Sequence, residues 1–184
     1  MNYAAIKPRD IANGTGVRTA LFVSGCTHRC KGCFNEIAWD FNYGEPFTEE
    51  VENSIIDGLK DDYMDGLSLL GGEPFEPQNQ RALVNFLKKV KDAYPEKTVW
   101  CYTGYLFEEL LTPGGKGNCE VSREMMSYID ILVDGEFKQE LKNLNLRFRG
   151  SSNQRIIDVN KSLKSGQTIL WDGAMTNKES FNQW

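Results

Sequence analysis

Cys26, Cys30 and Cys33 place three of the chain's five cysteines within the eight residues CTHRCKGC. The C-x3-C-x2-C spacing is compact enough for one loop to wrap three thiolates around a cubane of iron and sulfide, leaving the fourth iron without a protein ligand. A closed structural zinc or iron–sulfur site would need a further donor. The chain offers His28, its single histidine, or the distant Cys101 and Cys119. An open corner implies chemistry on a molecule bound there, whereas a closed site implies a structural role. His28 reads better as a neighbour of the metal site than as a ligand, Cys101 as a small core residue, and Cys119 as a free thiol after a glycine-rich loop. The odd, clustered count is unlike the paired cysteines of a small secreted protein. With no second histidine, a Ser-His or Cys-His hydrolase has no support.

Further candidates stand at the ends of apolar runs. Gly71-Gly72-Glu73-Pro74 follows such a run, and glycines there let backbone carbonyls approach a ligand closely, an ammonium group for example. The alternative is an ordinary turn. Thr103 and Asp134 end two more runs and are candidate ligand contacts, again against a background of strand-end turn chemistry. The segment RFRGSSNQR (147–155) gathers three cations with several hydrogen-bonding side chains. Such a composition suits carboxylates, a partner backbone or a solvated face, and spacing alone does not choose.

The elements that must position these groups alternate. Residues 17–23 (VRTALFV) form the first strong strand signal and lead through Gly25 into the cysteine loop. Thr48 is placed to cap a helix reaching Leu59, and a strand over 66–70 follows. Residues 79–93 put Leu83, Phe86, Leu87 and Val90 on one helical face, and 98–103 reads as a buried strand. A loop over 112–118, a helix over 122–128 and a strand over 129–133 come next. Beyond them, 154–159 and 169–171 are weaker strand candidates, and the chain from Gly173 reads as a solvated tail.

Alternating strands and helices imply right-handed crossovers and a mostly parallel sheet. At 184 residues the chain is too short for a complete eight-unit barrel. The expectation is therefore an α/β fold, one compact partial (βα) barrel, with functional groups beyond the C-terminal strand ends. A net charge of -5 gives no general field for nucleic acid or anionic membrane. The N-terminal MNYAAIKPRDIANG has scattered polar residues rather than a leader pattern, and no segment reaches a spanning length, so the reading is cytoplasmic.

Taken as one pattern, Gly14-x-Gly16-x-Arg18-x3-Phe22-x2-Gly25-Cys26-x3-Cys30-x2-Cys33-x-Asn35 resembles the signature of radical-activating enzymes in the radical SAM superfamily. Many members carry an aromatic residue just before the third cysteine. Here Gly32 stands there and Phe34 follows, which resembles the ribonucleotide reductase activases, as does RGSSNQR. The resemblance implies a 4Fe-4S cluster on Cys26, Cys30 and Cys33, its open iron chelated by S-adenosylmethionine. It makes Gly71, Gly72 and Glu73 the GGE motif that holds the methionyl amino group, with Thr103, Asp134 and Phe34 as further cofactor contacts. It also implies a 5′-deoxyadenosyl radical that takes a glycine hydrogen from the large subunit of anaerobic (class III) ribonucleotide reductase, and a flavodoxin-like electron donor. Activation of another glycyl-radical enzyme such as pyruvate formate-lyase, and a non-catalytic iron–sulfur electron-transfer module, are the alternatives. No further cysteine set supports a ferredoxin-like insertion, so the likeness is to the smaller branch.

Overall fold

The computed structural model describes residues 1–174. Its strands and helices run β1 (Asn2–Asp10), β2 (Val17–Val23), β3 (Glu45–Pro46), α1 (Glu49–Gly58), β4 (Met64–Gly71), α2 (Pro77–Ala93), β5 (Thr98–Tyr102), α3 (Phe107–Leu111), α4 (Ser122–Ser127), β6 (Ile131–Asp134), β7 (Arg155–Asp158) and α5 (Val159–Ser165). The seven strands form one open sheet in the order β3-β1-β2-β4-β5-β6-β7. Its centre, β2-β4-β5-β6, is parallel, as the strand–helix alternation requires. Both edges are antiparallel, with β1 against β2 and β7 against β6.

Alternation along each strand sorts the side chains onto two faces. Leu21, Val23, Leu67, Leu69, Val99, Cys101, Leu132 and Ile157 meet Ile55 of α1, Leu83, Phe86, Leu87 and Val90 of α2, and Met125 and Met126 of α4 in the main core. Each fully buried Leu or Phe there contributes about 2 kcal/mol. The opposite face carries Ala20, Phe22 and Leu70, and beside them Trp100, Ile131, Val133 and Ile156. Among the described residues no helix packs into these two clusters, and the loops at this end line the cavity described below.

Arg18, part of the glycine-arginine pattern, is fully buried on that face and uses all five of its N–H donors. They reach Ser68 Oγ, Thr98 Oγ1 and the carbonyls of Thr15, Leu67 and Thr98 at 2.5–3.1 Å. Burial pulls its pKa down to about 10. Arg18 therefore ties β2, β4 and β5 together and fixes the loop from Asp10 to Val17.

Several elements depart from the sequence expectations. The N-terminal strand carries no clear sequence signal because β1 is only half-buried, has Pro8 in it and two register irregularities, and is flanked on its outer side only by the two-residue β3. Residues 154–159 shorten to β7 and run directly into α5, whose start is capped by the Asp158 carboxylate accepting from the Lys161 N–H at 2.9 Å. Residues 169–171 supply only an isolated bridge, Ile157 with Leu170. Thr48 does stand at the N-cap of α1, but its hydroxyl makes no capping bond. The expected tail begins with a short 3-10 turn, Asp172–Ala174, and from 175 onward lies outside the described residues.

Candidate functional site

Strand β2 delivers the chain to Ser24 and Gly25, and the cysteine loop then swings out and returns through a 3-10 turn, Glu36–Trp39. The loop is closed by Gly25 N–H to the Ala38 carbonyl at 2.8 Å and Cys26 N–H to the Trp39 carbonyl at 3.2 Å. Gly71 and Gly72 pack under it. A Cβ on Gly72 would lie 2.6 Å from the Gly25 carbonyl oxygen and 2.9 Å from that of Ala38, so only glycine fits there. The N–H of Gly72 donates to Val23 and that of Glu73 to Gly25. The Gly72 carbonyl accepts no hydrogen bond from the described residues.

Two buried carboxylates anchor the loop from below. Glu73 accepts from the Phe75 N–H through Oε1 at 2.8 Å, and through Oε2 from the Gly104 N–H at 2.7 Å, with His28 Nε2 2.9 Å away. Glu76 Oε1 accepts both the Thr27 N–H and its hydroxyl, at 2.7 and 2.6 Å. Burial opposes protonation of His28, but the hydrogen bond and charge of Glu73 outweigh it and leave the pKa above the ordinary value. The ring packs against Tyr105 at a tilt of 56°, with centroids 4.3 Å apart. His28 thus latches the cysteine loop to β4 and β5 through Glu73 and Tyr105.

Above these groups opens a cavity of about 500 Å³. Cys26, Cys30, Cys33, Phe34, Gly71, Gly72, Glu73 and Thr103 all line it. Asp134 does not. It is fully buried, its Oδ1 accepting from Arg155 Nε at 2.9 Å and its Oδ2 from Arg155 Nη2 at 2.5 Å and the Phe107 N–H at 2.8 Å. Its neighbour Gly135 takes the place at the wall. Cys101 lies buried in the main core and Cys119 beside Ser122, so neither is brought to the cysteine loop. Among the described residues no three His, Cys, Asp or Glu side chains are gathered to hold one metal ion. The three thiols line one cavity, and a cubane cluster would take each of them on a separate iron.

The sequence comparisons agree with this geometry. Residues 12–157 match the family described as a 4Fe-4S single cluster domain. Proteins named anaerobic ribonucleoside-triphosphate reductase-activating protein are similar over most of the chain. Those of Pasteurella multocida and Haemophilus influenzae are 44% identical over 85% of this chain and 96% and 97% of their own. That of Enterobacteria phage T4 is 39% identical over 85% of this chain and 93% of its own. The chain belongs to this family of anaerobic ribonucleoside-triphosphate reductase-activating proteins.

Two of the thiols, Cys26 and Cys30, have their pKa raised above the ordinary thiol range. Burial, then the charge of Glu73, pushes Cys26 up to about 12, and burial, then Glu136, pushes Cys30 up to about 11. Iron must therefore displace protons on binding. Cys33 Sγ already accepts the Asn35 N–H at 3.4 Å. Arg29, between the first two cysteines, has the left-handed φ of 51°, and Phe148 across the cavity has 58°.

The strap from Phe137 to Gln154 was missed as cavity wall. Asn143, Leu144, Leu146, Phe148, Arg149 and Gln154 line the cavity. The RGSSNQR segment supplies the strap's internal bracing. Gln154 Oε1 accepts the N–H groups of Gly150 and Ser151, and its amide donates to the Gly135 carbonyl. Asn153 donates to Glu136, and Ser151 Oγ accepts from Lys138. The density of amide and hydroxyl side chains was the legible signal; what they bond was not. Tyr102 was also missed: its hydroxyl is buried at the cavity wall without a hydrogen-bond partner among the described residues.

Proposed function

We propose that the chain holds a 4Fe-4S cluster through Cys26, Cys30 and Cys33, binds S-adenosylmethionine in the adjoining cavity, and installs a glycyl radical on the large subunit of anaerobic ribonucleotide reductase. The observation that carries this reading is convergence: the three thiols, the Gly71-Gly72 turn and Thr103 line one cavity, and the other two cysteines are elsewhere. When bound, the cluster supplies a low-potential electron and S-adenosylmethionine supplies the 5′-deoxyadenosyl radical that takes a glycine hydrogen.

The chain's own residues bind, orient and exclude water. The Gly72 carbonyl is a free acceptor suited to an ammonium group, and no side chain on Gly72 can crowd it. Glu73 spends both oxygens inside the protein, so its part is to lock the turn and the cysteine loop in register rather than to reach the ligand. Thr103 sits at the wall with its hydroxyl accepting the Tyr105 N–H at 3.1 Å. Asp134 acts at one remove, by holding Gly135 and Arg155 in place. Trp39, Leu70, Phe137 and Phe148 make the remaining wall largely apolar, which keeps water and competing hydrogen donors away from a reactive site. The family reading adds a flavodoxin-like reductant and a cytoplasmic setting.

Anaerobic reconstitution with iron and sulfide, followed by reductant, S-adenosylmethionine and the reductase, tests the proposal by EPR and product analysis. A glycyl signal on the reductase together with 5′-deoxyadenosine is the expected result. A signal on pyruvate formate-lyase alone would move the chain to another activase. A reducible cluster with no cleavage of S-adenosylmethionine would leave only an electron-transfer module.

A further inference from the structure

Nine exposed cations form no ion pair among the described residues; Lys7, Arg9, Arg123 and Lys164 lie away from the cavity lining, and the other five belong to the two segments that border it. Lys60, Arg81, Lys88, Lys89, Lys91, Lys116, Arg155 and Lys161 are in ion pairs. Around the cavity, Arg29 and Lys31 of the cysteine loop and Lys138, Lys142 and Arg147 of the strap are all exposed, and none forms an ion pair among the described residues. Arg149 beside them lines the cavity and leaves its Nε buried without a partner. The two segments meet: a Cβ on Gly32 would lie 2.3 Å from Gln139 Oε1. The carboxylates on the same stretches, Glu36, Glu136 and Glu140, take up none of these cations.

Between the cations stand two large apolar side chains at the cavity lining, Phe34 and Leu144, each 88% exposed. A solvated charged face has no reason to present such groups together. Exposed apolar anchors ringed by unpaired charge are the anatomy of a protein-docking surface, the charge steering encounter and the apolar groups filling pockets.

We infer that the rim formed by Arg29, Lys31, Lys138, Lys142 and Arg147, with Phe34 and Leu144 inside it, docks an acidic segment of the polypeptide that inserts into the cavity. This rests on the proposed function, under which that polypeptide is the reductase. Lys142 lines the cavity itself, and Arg29, Lys31, Lys138 and Arg147 each adjoin a residue that does, so a polypeptide entering the cavity meets these cations. A nucleic acid fits poorly, because these five cations border a recess and the chain as a whole is at -5.

The test compares two variants of equal charge change. K138E/R147E reverses two rim cations; R123E/K164E reverses two exposed cations that are unpaired and away from the cavity. Iron and sulfide content and thermal unfolding establish that each is folded and loaded, and K138Q/R147Q replaces the first should it fail that check. Association with the purified reductase is followed by stopped flow across ionic strengths. Steering predicts that K138E/R147E slows association about tenfold at low salt, with the difference closing as salt screens it, while R123E/K164E matches the wild type. Equal rates and salt slopes for both variants would overturn the inference. So would unchanged reductase binding with slowed reduction of the cluster by a flavodoxin, which would assign the rim to the electron donor. If the wild-type protein cleaves S-adenosylmethionine yet neither binds nor activates the reductase, the proposed function itself fails, a result separable from either of these.

Discussion

Removing the Arg155 guanidinium probes how the wall behind the cavity is held. Arg155 covers the fully buried Asp134 with two hydrogen bonds and reaches Glu108 with two more at 3.0 and 2.8 Å. Leaving a buried carboxylate without its cation costs about 3–5 kcal/mol. Asp134 would keep the Phe107 N–H, and Arg155 is itself 31% exposed, so water can enter the gap. The lower end, about 3 kcal/mol, applies. Glu108 is half exposed, and its contribution after solvent screening is about 0.5 kcal/mol. Arg155→Ala should therefore lower stability by about 3 kcal/mol and Tm by about 10 °C for a chain of this size.

The acid limb carries a second signature. Hydrogen bonding to Arg155 holds the Glu108 carboxyl at about 2, below its ordinary 4.5. Its stabilisation is complete above the unfolded pKa and is lost as the pH falls from 4.5 towards 2, a component that Arg155→Ala should reduce, leaving the part due to Thr168. Anaerobic urea titration read by tryptophan fluorescence measures both effects. Adding Asp134→Asn removes the stranded charge, so the double variant should regain about 1–2 kcal/mol over Arg155→Ala alone. A loss below 1 kcal/mol for the single variant, or a double variant that is no better, would refute the assignment of Asp134 as a buried ion held by Arg155.

Serine at Cys26, Cys30 or Cys33 should abolish the iron–sulfur absorbance after reconstitution, whereas serine at Cys101 or Cys119 should retain it; iron and sulfide analysis decides. Tyr102→Phe removes a buried hydroxyl that has no hydrogen-bond partner among the described residues, so the metal-free protein should be as stable or up to about 1 kcal/mol more stable in urea. Glu73→Gln weakens three contacts at once and should cost about 2 kcal/mol and speed loss of the cluster to a chelator; an unchanged chelation rate would show that the latch to His28 does not hold the cysteine loop.

The cysteine spacing, the glycine turn after β4 and the parallel centre of the sheet were legible because each depends on local chemistry: ligand spacing, backbone freedom and hydrophobic periodicity. Edges were harder. Strand β1 is only half-buried, interrupted by Pro8 and stabilised by its pairing with β2, and α5 is a helix of seven residues whose start depends on one aspartate cap. Asp134 illustrates the same limit at the site. Its position at a strand end suggested a ligand contact, but which side of the strand its carboxylate faces, and that Arg155 lies 2.5 Å away, are facts of packing.

Sequence alone determined that three thiols are carried on one loop with no local fourth, because ligand count and loop length are covalent properties. Only the tertiary structure decided what surrounds them. It brings Glu73 to His28, ties Gln154 back to Gly135, and sets Lys142, Arg149, Phe34 and Leu144 at the cavity wall beside the thiols. Those arrangements join residues from 19 to 45 positions apart or on different elements, and such contacts are chosen by the packing of the whole sheet, not by any property a short stretch of chain possesses.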